Sequence, residues 1–335
     1  MSGGQRVTYS WRLVGVALMS ALATHTAAAQ AVSVQCAGAN ATVADACQKA
    51  RDLFAFAAPQ VAAALAGGNA VIGDGSTLGG LGKLSLAVRA TALRGAVPRP
   101  GQIVLSSLGA RATDIATQGQ WIPAVTAEGA LGVLPGLLVG LTRIGGVDAL
   151  FNVTYVPEVT ERTFQLLNEG RSTAVGYGVR VGLLQESSVV PGIAVTWVRR
   201  PLPTTRVGLA DGDDSLFVRS LAVRSDSWRA VISKRILLLG LSVGMGQDAV
   251  DARARVSAVV NEASRRYVLN DVVLGEQPRR TNAFADASLW LGGFRVVAEI
   301  GRSFAASPSQ VFNQFDGRAP GGAFTYGSIG LRLGL

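Results

Sequence analysis

From Lys83 to the C-terminus, apolar side chains recur at every second position in short runs separated by glycine, proline and polar clusters. Leu84, Leu86, Val88 and Ala90 alternate with Lys83, Ser85, Ala87 and Arg89, and Val125, Ala127, Leu131 and Val133 alternate with Thr126, Glu128 and Ala130. Val147, Ala149, Phe151, Val153 and Tyr155 oppose Asp148, Asn152 and Thr154 in the same way. Residues 175–183, 193–197, 283–291 and 294–300 repeat the pattern, and the chain ends with Ile329, Leu331, Leu333 and Leu335 set against Ser328, Gly330, Arg332 and Gly334. A period of two throws successive side chains to opposite faces, so each run predicts a β-strand with one apolar face.

Four further runs are predicted at 217–224, 228–232, 237–245 and 252–258. The first has mixed faces; the last sets Ala252, Ala254, Val256 and Ala258 against Arg253, Arg255 and Ser257. The total is about twelve strands, with about ten to fourteen admissible, each near the length that crosses a bilayer at a tilt. An apolar strand at the end of an open sheet invites aggregation, and closing the sheet removes the edge. The predicted fold is therefore all-β, a closed antiparallel transmembrane β-barrel over residues 82–335. Connector lengths agree: 94–122, 158–171, 201–214, 262–280 and 303–320 are long and fall on one side. The short connectors 185–189, 225–227, 246–250 and 292–293 fall on the other, as in transmembrane barrels with short periplasmic turns and long outer loops. Two connectors break the rule, 135–145 being too long for its side and 234–235 too short.

The faces opposite the lipid side carry Lys83, Arg89, Glu128, Asp148, Arg180, Arg253, Arg255, Asp286, Arg295, Glu299 and Arg332. The packed interior of a soluble sandwich would reject such charges. They are the candidate lumen-lining residues, either of a wet pore that selects solutes or of a lumen sealed by ion pairs. Paired carboxylates among them also suit glycoside hydrolysis, but structural ion pairing is the commoner use.

Ahead of the strands the period is helical. Cys47, Phe54, Ala58, Val61 and Leu65 share a face, Thr42 and Asp45 form a capping-box-like start, and Gly67-Gly68 marks a stop, while Pro59 is expected to kink or split the helix. Residues 30–81 thus form a helical segment with a glycine-rich connector, docked at the periplasmic mouth or inside the lumen, as a plug or as a simple packed helix. The glycines of 69–82 lack the Lys-Ser/Thr of a phosphate loop and predict a tight connector.

Mean hydropathy is +0.33 and 49% of residues are hydrophobic, yet no apolar run after residue 29 reaches the roughly eighteen residues of a spanning helix. Residues 1–29 have the form of a secretory signal: Arg6 and Arg12, the apolar stretch Leu13 to Ala23, and Ala27-Ala28-Ala29 as a cleavage site, which predicts export to the outer membrane with cleavage after Ala29. The only histidine, His25, leaves with it, and with it go histidine-based triads, zinc sites and proton shuttles. The expectation is a protein that is not an enzyme and has neither metal nor cofactor. Cys36 and Cys47, the two cysteines, are expected to form a disulfide in an oxidising compartment. The net charge of +9 is mostly arginine and predicts anionic lipopolysaccharide or a charged pore lining as partner, not nucleic acid.

The terminal pattern Ser328-x-Gly330-x-x-Leu333-x-Leu335 resembles the signal read by the barrel-assembly machinery of Gram-negative outer-membrane β-barrel proteins, with leucine where the usual terminal residue is aromatic. That resemblance covers residues 82–335 and implies the assembly machinery and outer-membrane lipid as partners. The helical segment ahead of a barrel also resembles the long-chain fatty-acid transporter family, whose barrels carry an N-terminal plug and move hydrophobic solutes; at 67–73 this chain has G-G-N-A-V-I-G in place of the family's Asn-Pro signature. The expected function is binding or passage of a small solute, and the alternative is a structural or surface-interaction barrel with a sealed lumen.

Overall fold

The computed structural model describes residues 32–36, 40–99, 103–160, 164–211, 214–262, 265–306 and 310–334. The predicted leader and Leu335 lie outside the described residues. Among the described residues one helix, α1 (Ala41–Ala66), precedes the strands β1 (Leu84–Pro98), β2 (Thr117–Leu134), β3 (Leu137–Val139), β4 (Thr142–Ile144), β5 (Gly146–Tyr155), β6 (Val159–Thr160), β7 (Phe164–Asn168) and β8 (Thr173–Leu184). The remainder are β9 (Gly192–Pro201), β10 (Thr205–Asp211), β11 (Asp214–Ile236), β12 (Leu239–Glu262), β13 (Arg265–Glu276), β14 (Arg279–Leu291), β15 (Phe294–Ser303) and β16 (Phe324–Gly334).

Ten of these close a ring in the order β1-β2-β5-β8-β9-β11-β12-β14-β15-β16 and back to β1, every pair antiparallel. The last strand seals the barrel by pairing along β1 from Ser85↔Gly334 to Arg94↔Thr325. Ten strands replace the expected twelve because 217–224 and 228–232 are one strand, β11, and 237–245 and 252–258 are one strand, β12. The turn between them is Leu237-Leu238, with Leu237 at φ 56°, and not 225–227, 234–235 or 246–250. The over-short connector is thereby explained: the hairpin turns at the short-connector end are 185–191, 237–238 and 292–293, and 135–145 on the same side is long because it folds into the β3–β4 hairpin.

Outward side chains of the wall are apolar, among them Val88, Val125, Phe151, Val179, Val243, Leu289, Ile329 and Leu331, all exposed. A protein in water does not expose so continuous an apolar wall, and a bilayer supplies the solvent it requires. Strands β5, β9 and β15 have ten residues each, about the span of the hydrocarbon core at a tilt. β11 and β12, with 23 and 24 residues, run well past it. At the long-connector end they continue as a sheet ordered β6-β7-β10-β11-β12-β13 that rises beyond the ring.

That extension reverses the expected polarity of 252–258. Ala252, Ala254 and Val256 face inward and pack with Cys47, Ala50 and Phe54 of α1, while Arg253 and Arg255 point out. Alternation identifies two faces but not their solvents. Above the lipid the outside is water, and the apolar face turns to the helix. α1 starts at Asn40, whose side chain accepts from the Thr42 N–H at 3.0 Å, and ends at Gly67 with φ 58°. Pro59 neither splits nor ends it, because the helix is buried along most of its length and tertiary packing outweighs the lost hydrogen bond. The Cys36–Cys47 disulfide staples the segment before the helix to its second turn.

An arginine at the outward position of Val243, on the lipid belt of β12, should destabilise the embedded barrel by about 2–4 kcal/mol. The V243R protein refolded into vesicles and unfolded in urea measures this; unchanged stability would show that the wall does not lie in lipid.

Candidate functional site

The inward face of the barrel is polar and buried at once, because the lumen is filled by the chain's own N-terminal segment. α1 enters at the long-connector end, where Asp45 and Asp52, seven residues apart on the helix, gather two connectors. Asp45 accepts from the Ser106 N–H at 2.7 Å and the Arg111 N–H at 3.1 Å. Asp52 accepts from the N–H groups of Phe312 and Asn313 and from the Asn313 amide at 2.7–3.0 Å. Burial pushes the Asp52 carboxyl above its ordinary range, against the opposing pull of these bonds. Lower down, Gln60 makes a reciprocal pair with the backbone of Ala96 on β1, at 3.0 and 2.7 Å. Ala63 and Ala64 then meet a layer of Leu93, Val231, Phe284 and Tyr326 from the wall.

Below Ala66 the helix stops, and residues 67–82 descend without regular structure to β1. A backbone with no secondary structure at membrane depth leaves peptide groups without partners unless the surroundings supply them. The wall supplies them in two chemical halves. Arginines take carbonyls: Arg200 donates to Ala66 O at 2.9 Å, Arg229 to Gly67 O at 3.0 Å and Gly68 O at 2.8 Å, and Arg89 to Asn69 O. Further down, Arg332 reaches Ile72 O at 3.3 Å and Arg295 reaches Gly73 O at 2.6 Å. Carboxylates take N–H groups: Glu299 accepts from Gly68 and Asn69 at 3.2 and 2.7 Å, Asp286 from Gly73 at 3.3 Å, and Asp148 from Leu78 at 3.1 Å. The first three arginines also lie where the helix macrodipole is negative, so wall cations complete a C-terminus that has no basic residue in its own last turn.

The same groups neutralise one another. Glu128 bridges Arg89 at 2.8 Å and Arg200 at 3.1 Å, Asp248 holds Arg229 at 2.7 Å, and Arg180 grips Asp148 at 2.7 Å. Asp74, on the descending segment itself, pairs with Arg332 at 3.1 Å and lies 3.9 Å from Arg295. Close quarters also fix the backbone: Gly73 sits at φ 75°, and a Cβ there would lie 2.8 Å from the Val297 side chain. At Gly132 a Cβ would come within 2.1 Å of Gly80 O.

Of the candidate lumen residues, Arg89, Glu128, Asp148, Arg180, Asp286, Arg295, Glu299 and Arg332 are buried on the inward face and belong to this network. Three are elsewhere. Lys83 is exposed just before β1, at the short-turn rim, and Arg253 and Arg255 are exposed on the outward face of the extension. Of the terminal signal residues, Ser328 bonds Glu299 at 3.1 Å and lies 2.9 Å from the Thr91 hydroxyl, Gly330 lies against Ile72 of the plug, and Leu333 faces out. Sequence reasoning missed Arg200, Arg229 and Asp248. Extending the alternation of Ile193, Val195 and Trp197 by three residues puts Arg200 inside, and alternation with Trp228, Ala230 and Ile232 does the same for Arg229. Asp248 was hidden in a stretch read as a turn.

No family model matches the chain, and no curated protein matches it. Among solved structures, the outer membrane protease OmpT of Escherichia coli aligns at 9% identity over 76% of this chain and 96% of that chain, with a TM-score of 0.39. The translocator domain of the autotransporter NalP from Neisseria meningitidis aligns at 11% identity over 76% and 88%, with a TM-score of 0.32. A Pseudomonas aeruginosa FadL homologue aligns at 10% identity over 75% and 90%, with a TM-score of 0.21. The closed antiparallel ring with an apolar outer wall is the architecture of an outer-membrane β-barrel, established here by its own strand pairing.

Arg229→Met leaves Asp248 and the carbonyls of Gly67 and Gly68 buried without this partner. We expect a loss of about 3–5 kcal/mol, the scale for breaking one side of a buried pair. Urea titration in micelles, with limited proteolysis of residues 41–82, reads both the stability and the seating of the plug; wild-type behaviour in both assays would show that this arginine does not hold it.

Proposed function

We propose that the chain is a non-enzymatic outer-membrane barrel whose lumen is kept closed by its own N-terminal segment. Its working surface is the sheet extension and connectors raised beyond the membrane. Orientation follows from connector length, with the short turns in the periplasm and the long-connector end outside. Residues 32–36 and the start of α1 are then at the outer end, and the segment descends to the periplasmic start of β1. Of the two sites expected from sequence, the periplasmic mouth and the lumen, this reading takes the lumen, with the helix entering from the outer end.

The observation that carries the reading is the double engagement of the inward charges. Each buried candidate is bonded to the descending segment, to another wall charge, or to both, so none is left to line a passage. This favours the sealed barrel over solute passage. The absence of histidine after residue 25 supports a non-catalytic role. The exposed wall supports outer-membrane lipid as a partner, and the terminal strand supports recognition by the assembly machinery.

In planar bilayers the refolded full-length mature chain should show no steady conductance, and deletion of residues 32–81 should produce long-lived openings. Steady current through the full chain would overturn closure and restore solute passage as the better reading.

A further inference from the structure

Outward side chains change character at one height of the wall. On β1 they run Leu86, Val88, Ala90 and Ala92, then Arg94; on β15, Val296, Ala298 and Ile300, then Arg302; on β9, Val195 and Trp197, then Arg199. At the other rim the apolar run continues to the turns, through Leu291, Phe294 and Leu333. The cations are densest on the extension. On neighbouring strands Arg219 stands directly opposite Arg255, and Arg224 stands opposite Asp251, with Arg253 two positions along. Asp251 serves both Arg224, at 3.0 Å, and Arg253, at 3.1 Å. Arg219 and Arg255 make no ion pair among the described residues.

Like charges facing each other across an antiparallel pair destabilise it unless an anion lies between them. Beside this pair two ladders each break register once, β11–β12 between Arg219 and Ala222 and β12–β13 between Val256 and Ala258. The breaks open a groove of about 530 Å³ on the outward face, lined by Phe217, Arg219, Ser257, Val259, Val268 and Asp271 among others. The Ser257 hydroxyl in its wall has no hydrogen-bond partner. An apposed arginine pair, a second pair sharing one carboxylate, and a mostly apolar groove with an unused hydroxyl follow one another along the extension, beginning one outward position beyond the height of Arg199.

We propose that this face of β11–β12 binds a phosphorylated glycolipid of the surrounding leaflet. One phosphate lies between Arg219 and Arg255, a second is met by Arg224 and Arg253, and the saccharide is held along the groove. Guanidinium groups suit phosphate because their N–H donors match its oxygens in pairs. The inference rests on the membrane reading of the wall.

Native mass spectrometry of the refolded full-length mature chain in detergent tests it, with the bisphosphorylated lipid anchor of lipopolysaccharide, its dephosphorylated form and a zwitterionic phospholipid as probes. Wild type should retain the bisphosphorylated glycolipid at least about tenfold better than either other probe, the scale of a few arginines beside anionic headgroups. The variant carrying Arg219→Gln, Arg224→Gln, Arg253→Gln and Arg255→Gln should lose that preference, and the milder double variant of Arg219 and Arg255 should lose much of it. The variant Arg94→Gln, Arg279→Gln, Arg302→Gln should keep it. Equal retention of all three probes by wild type, or an undiminished preference in the double and quadruple variants, overturns the site. Heat-modifiable gel migration separates the two levels: folded barrel without preference refutes the glycolipid site alone, while loss of the folded band in wild type refutes the barrel as well.

Discussion

The structure depends on how sixteen residues of irregular backbone, 67–82, can be held at membrane depth inside a barrel. Their peptide groups have no helix or sheet of their own, and in a water-poor lumen each unpaired group costs a few kcal/mol. The wall answers with ionisable side chains: guanidinium groups of Arg89, Arg200, Arg229, Arg295 and Arg332 on the carbonyls, and carboxyl groups of Asp148, Asp286 and Glu299 on the N–H groups. Bonds to ionised partners are stronger than neutral ones. The charges in turn need counter-charges once dehydrated, which Glu128, Asp248 and Asp74 provide. The result is a lumen that is both highly charged and nearly neutral, and that is tied to one conformation of the segment running through it.

The extension follows from the same plug. Because α1 ends partway down the lumen, its first turns project at the long-connector end and need an apolar cover. β11 and β12 lengthen to provide it, recruiting β10 and β13, and Val43, Ala46 and Cys47 pack with Val250, Ala252 and Leu274. The outward face of that cover is then free to carry arginines.

Much of this was legible in the sequence, and what was not has physical causes. The alternation in β1, β8, β14, β15 and β16 was clear because lipid demands apolar residues on one face, while most positions of the other are polar, charged or small, with single large inward residues such as Leu93, Phe284, Val297 and Tyr326. The false breaks at 225–227 and 246–250 arose because Ser225, Asp226, Ser227 and Asp248 look like turn residues. Three of them are in fact a buried hydrogen-bonded cluster, with Ser227 donating to Asp248 at 2.7 Å. The true turn, Leu237-Leu238, was invisible because at the edge of the lipid a turn need not be polar. Arg253 and Arg255 were assigned inward because alternation fixes parity but cannot say at what height the outer solvent changes from lipid to water. The charged inward face was readable. That its charges bond to a stretch of backbone was not, since nothing local marks a carbonyl as their target.

Amide hydrogen exchange on the membrane-embedded protein tests this account most directly. The N–H groups of Gly68, Asn69, Gly73 and Leu78 belong to no helix or strand, and would exchange rapidly in an open, wet lumen. If wall carboxylates hold them, they should be protected within about tenfold of inward amides in the middle of β14 and β15. Exchange at the rates of solvent-exposed loop amides would contradict the claim that the wall charges exist to seat the plug.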